Sequence, residues 1–152
     1  MHADAAPVES RYTTAMEQLG QGAALVLAGM TLGWTAYFSF IIAPQAYRDL
    51  DQGRANRFVR NAMRNGHPTV ALFSFIAGGA GAVAGAFAGG SVMALAGVLY
   101  LLARWTLSPR DDERPPPGGK RKLSTARIVA AGLTAMIMLL VIAGIVLIGL
   151  KI

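Results

Sequence analysis

Residues 71–90, ALFSFIAGGAGAVAGAFAGG, contain 13 Gly or Ala among 20 positions and no charged side chain. The apolar run continues to residue 107, interrupted only by Arg104. About 20 mostly apolar residues carry a helix across a bilayer, so 68–107 divides into two spans, about 68–88 and 92–107, at Gly89-Gly90-Ser91. Residues 18–43 and 128–150 are also uncharged and long enough to cross. The expected fold class is therefore all-α: an integral membrane four-helix bundle forming one domain, preceded by an N-terminal tail over 1–17.

The composition supports this class. With 54% hydrophobic residues and a mean hydropathy of +0.46, the chain is too apolar for an ordinary soluble domain. It has no cysteine, which removes disulfides, thiolate metal sites and iron–sulfur clusters together. Basic charge beside membrane spans encodes topology and affinity for anionic lipid, and no nucleic-acid motif accompanies the +6 net charge. The expected partners are thus the bilayer and its anionic lipids, and nucleic acid is not among them.

Between the first two spans the pattern changes. At about 100° per residue, Ala55, Phe58, Val59, Ala62 and Met63 share one arc, and Arg54, Arg57, Arg60 and Arg64 share the other. This predicts an additional amphipathic helix over 52–65 at the membrane surface, with Asp51 as N-cap and Asn65-Gly66 as its stop. Pro44 is expected to end or kink the first span near Ala43, and Pro68 to open the second. Arg54, Arg57, Arg60, Arg64, Arg104 and Trp105 are assigned to the interface and lipid head groups, with Tyr100 a second interfacial aromatic. Residues 108–123 read as a flexible polar loop, in which Asp111-Asp112-Glu113 forms a solvated charge cluster.

With four spans, 12 of the 14 Lys and Arg residues fall on one side. Positive short loops stay cytoplasmic, so the expected location is the inner membrane with both termini outside the cytoplasm.

Few side chains suggest chemistry. The spans hold almost no ionisable group, which argues against an ion-coupled transporter. No metal site or catalytic residue is assigned. Only His2 and His67 offer imidazoles, and the topology puts them on opposite sides, so one chain cannot supply two axial histidines to a haem. Trp34 and Tyr37, spaced i, i+3 near Thr31, and His67 at the mouth of the second span are the candidate cofactor-binding residues. Gly29-x-x-x-Gly33 and Gly81-x-x-x-Gly85-x-x-x-Gly89 form small-residue ridges that permit close helix packing.

The order of these features resembles small four-helix bacterial membrane families. It runs from a glycine-bearing first helix ending in Ala43-Pro44, through an Arg-rich stretch and His67-Pro68, to Trp105-Thr106-Leu107-Ser108-Pro109. One such family is anthrone-oxygenase-like, in which a threonine and proline follow the third helix and an asparagine comes soon after. Here Asp111 stands near that asparagine's place. The resemblance implies the four-helix topology.

The leading functional expectation is a non-enzymatic inner-membrane accessory or structural subunit without a cofactor, packing as a homo-oligomer or within a larger complex. The alternative is a small membrane oxidoreductase, or a quinone- or haem-associated enzyme, using Trp34, Tyr37 and His67.

Overall fold

A computed structural model describes residues 6–107 and 120–152, with side chains over 12–105 and 131–152. His2 and the acidic cluster at 111–113 lie outside the described residues. The elements are α1 (Ala6–Tyr37), a π-helical turn (Phe38–Ile42), α2 (Ala43–Asp49), α3 (Gln52–Val83), α4 (Phe87–Leu107) and α5 (Lys120–Gly149). There is no strand among the described residues. Four helical stretches, Tyr12–Asp49, Gln52–Val83, Phe87–Trp105 and Ala131–Gly149, are long and apolar enough to cross a membrane.

The four helices pack in a ring in which α3 lies between α1 and α4, and α5 closes the circuit between α4 and α1. The core is built largely of small residues, including Ala24, Ala28, Ala71, Ala77 and Ala96, with Met93, Tyr100, Ile137 and Val141 as its bulky members. Small side chains let the axes approach. A Cβ on Gly78 would stand 2.8 Å from the Gly90 carbonyl oxygen, and a Cβ on Gly90 2.6 Å from that of Gly78. The α3 and α4 backbones therefore touch at this pair. At one end of the ring the Gln21 amide donates to the Ile148 carbonyl at 3.0 Å, an oxygen that also accepts from the Lys151 N–H at 3.2 Å, and so ties α1 to the end of α5. The exposed pair of Lys151 and Glu17 lies beside it at 3.9 Å and adds little.

Several expected boundaries are corrected. Of the two outcomes expected at Pro44, an end or a kink, the end is not found: the helical chain runs on to Asp49, with a π turn over Phe38–Ile42 directly before Ala43. In that turn the Ala43 N–H donates to the Phe38 carbonyl, one residue farther back than in an α-helix. The extra residue carries the proline ring past the carbonyl it would otherwise strike. The separate amphipathic helix is not present either, because its residues form the first half of the continuous α3. Asn65-Gly66 does not stop that helix, and Pro68 lies inside it, where it removes one bond to the Arg64 carbonyl. Asp51 is the N-cap residue of α3 but makes no side-chain cap bond. Its carboxylate meets Arg54 at 3.3 Å instead. The helix α5 begins at Lys120, within the stretch expected to be loop.

The hairpin between α3 and α4 turns at Ala84-Gly85-Ala86, before the expected Gly89-Gly90. Gly85 has φ +81°, a left-handed conformation that glycine adopts without penalty. It is a turn residue, which corrects its assignment to a packing ridge. Gly89 and Gly90 instead belong to the first turns of α4, with the Gly90 N–H bonded to the Ala86 carbonyl at 2.9 Å.

Candidate functional site

The polar side chains of the core collect toward the end of the ring from which the α2–α3 hairpin projects. Thr31 is wholly buried and donates to the Leu27 carbonyl at 2.9 Å, and Thr35 donates to the Thr31 carbonyl at 2.8 Å. Each threonine thus returns its proton to its own helix, a common way to keep a hydroxyl inside an apolar bundle. With its proton committed, Thr35 Oγ1 can only accept from the Tyr100 hydroxyl 2.5 Å away. The direction Tyr100 to Thr35 to the Thr31 carbonyl follows from this count. Tyr100 is 2% exposed, which corrects its reading as an interfacial aromatic.

The periodicity of α4 carries a signal that finds Tyr100. Met93, Ala96, Tyr100 and Ala103 recur at three- and four-residue intervals, and all four are buried. Aromatic type alone points to the interface; position in the stripe points inward. Trp105 sits off that stripe and is 83% exposed, and Arg104 beside it is also exposed.

The His67 ring lies against Tyr100 with centroids 5.7 Å apart and planes tilted by 44°. Around this pair is a void of about 20 Å³ to which all four helices contribute, bounded also by Trp34, Thr35, Ser39 and Thr134. That volume has room for a single water. The site joins a phenol, an imidazole and hydroxyls, and none of its lining residues is a carboxylate or a thiol. Among the described residues no three of His, Cys, Asp and Glu come together as a metal site.

A larger groove lies on the other side of Trp34. It opens between α1 and α3 with a volume of about 630 Å³. Trp34, Tyr37, Phe38, Phe58 and Phe73 supply aromatic walls, and Asn65 and Thr69 supply polar atoms. Trp34 and Phe38 border both spaces and form the partition between them. A Cβ on Gly66 would stand 3.2 Å from the Trp34 ring, so this glycine lets the indole lie across α3. Of the three expected cofactor-site residues, Trp34 and His67 share the inner void, whereas Tyr37 faces the outer groove.

The remaining assignments separate clearly. Arg54, Arg57, Arg60 and Arg64 are exposed along the first half of α3, and Arg57 Nε donates to the Gly53 carbonyl at 3.4 Å. A Cβ on Gly81 would stand 3.4 Å from the Ile148 side chain, and one on Gly89 2.7 Å from the Ile148 backbone nitrogen. Both glycines therefore serve contacts within this chain. Gly29 and Gly33 differ, since a Cβ at either meets nothing within 4 Å. No family model, curated protein or solved structure matches the chain.

Proposed function

We propose that the chain is a non-catalytic accessory subunit of the inner membrane that docks a further transmembrane helix through the outward face of α1. Large apolar side chains such as Val26, Leu72, Leu102, Leu139 and Val146 stand exposed around the outside of the ring. A belt of this kind suits contact with lipid rather than water.

The observation that carries the docking is the position of three glycines. At 100° per residue, Gly22, Gly29 and Gly33 fall within one narrow arc of α1, and among the described residues nothing beyond the helix's own backbone comes within 4 Å of a Cβ on any of them. Glycine in a helix interior costs about 1 kcal/mol relative to alanine. At Gly78 and Gly90 a close backbone contact offsets that cost; on the α1 face the offset has to come from another helix. The occupant is a second copy or a subunit of a larger complex.

Because those sites are open, leucine there leaves the chain's own packing intact. Gly29→Leu combined with Gly33→Leu is expected to abolish co-migration with partners from gently solubilised native membranes, while the helical content and unfolding temperature of the purified chain stay unchanged. Undiminished assembly would mean that the α1 glycines face lipid, and the subunit role would then lose its support.

The orientation follows from charge. The 12 basic residues between 44 and 127 assign the α2–α3 hairpin end to the cytoplasm. A cysteine at Ile152 is expected to react with an impermeant thiol reagent added to intact cells, and one at Gly53 is expected to stay unlabelled. The reverse pattern would invert the protein in the membrane.

A further inference from the structure

We propose that the groove between α1 and α3 binds an uncharged lipophile that carries a planar ring with carbonyl acceptors and an apolar tail, of the prenylated quinone type. This rests on the four spans.

The chemistry of the walls selects the ligand. None of the residues lining the groove carries a charge at neutral pH, so an ionic head group would enter without a counter-charge. Five aromatic rings line a space of about 630 Å³, within the usual range for a small-molecule site. Flat faces favour a flat guest. The lining is almost wholly apolar, and its polar side chains, Trp34, Tyr37, Asn65 and Thr69, are all neutral groups able to donate a hydrogen bond, the last three also able to accept one. Ring carbonyl oxygens suit such donors, and a plain alkyl chain would leave them unused.

Position selects the source. Counting about 1.5 Å of rise per residue along α3 from its end at Val83, a 30 Å apolar layer reaches to the region of Asn65. Asn65 thus lies at the membrane boundary and Thr69 about one turn inside it, and Met30 and Phe73 lie deeper, where a tail would run. The π turn places Phe38 and Ile42, its first and last residues, in the groove wall. Such turns are rare and recur at functional sites.

The chain has two tryptophans, and Trp105 is 83% exposed, so Trp105→Phe leaves Trp34 as the single indole reporter without disturbing the core. Quinones quench indole emission at short range. Titrating the purified full-length Trp105→Phe protein with a benzoquinone bearing one isoprene unit is expected to give saturable quenching. Adding Ala62→Phe, which fills the groove, should abolish saturation. Should that variant misfold, Phe58→Ala removes one ring from a half-exposed position and is expected to weaken binding about two- to tenfold. Quenching that rises linearly and equally in every variant would be partition into the micelle, and would overturn the site. Equal competition by a prenyl alcohol of matching tail length would also overturn it, because the groove would then hold tails and not rings.

Discussion

Gly90→Ala is expected to lower the unfolding temperature of the purified protein in detergent, although alanine is the better helix former. The new methyl would stand 2.6 Å from the Gly78 carbonyl oxygen and 3.2 Å from the Ala82 nitrogen. Both are backbone atoms, so no side chain can rotate away and the α3–α4 seam must open. Overpacking of this kind costs about 1–3 kcal/mol, against about 1 kcal/mol gained in helix propensity. Gly79→Ala, on the same α3 but with nothing within 4 Å, isolates the propensity gain and should be neutral or stabilising. If the two variants prove equally stable, the α3 and α4 backbones are not in contact at Gly78 and Gly90.

The second large effect centres on Tyr100. Tyr100→Ala removes one of the largest buried side chains of the core and is expected to cost about 3–5 kcal/mol, enough to abolish folding in a marginal protein. Smaller changes separate the hydroxyl from the ring. Tyr100→Phe removes one buried bond, worth about 0.5–1.5 kcal/mol in water-soluble proteins and nearer 0.6 kcal/mol on average within membranes. Thr35→Val should be worse, since it leaves the phenolic O–H buried without its acceptor, at about 1–3 kcal/mol. Combining Thr35→Val with Tyr100→Phe removes both partners and should cost less than the sum of the singles. Additive costs would show that Tyr100 and Thr35 do not bond.

The groove and the buried hydroxyls differ in how visible they are in the sequence. Trp34, Tyr37 and His67 stand out by residue type, but whether they share one space depends on helix phase across α1 and α3. Tyr37 turns outward, while Trp34 and His67 meet at an inner void completed by Tyr100 and Thr134. Phe58 reads as the apolar face of a surface helix, and it becomes a groove wall only because α3 continues unbroken beside α1. Contacts of this kind join residues far apart in the chain, and no local pattern records them.

Hydropathy by itself determined the four apolar helical stretches, because in a bilayer a helix must satisfy its own backbone bonds over a fixed thickness. That requirement acts on each segment separately and is therefore written in each segment. The ends and bends of the helices were decided elsewhere. A glycine doublet marks equally a left-handed turn and a close backbone contact, since both need only a missing Cβ; tertiary packing gave the turn to Gly85 and the contact to Gly90. Proline likewise warns of a break, yet Pro44 follows a π turn and the helix runs on, and Pro68 stays within α3. Which face of α3 meets α1, which meets α4, and what space remains between them are properties of several helices at once, and only their packing decides them.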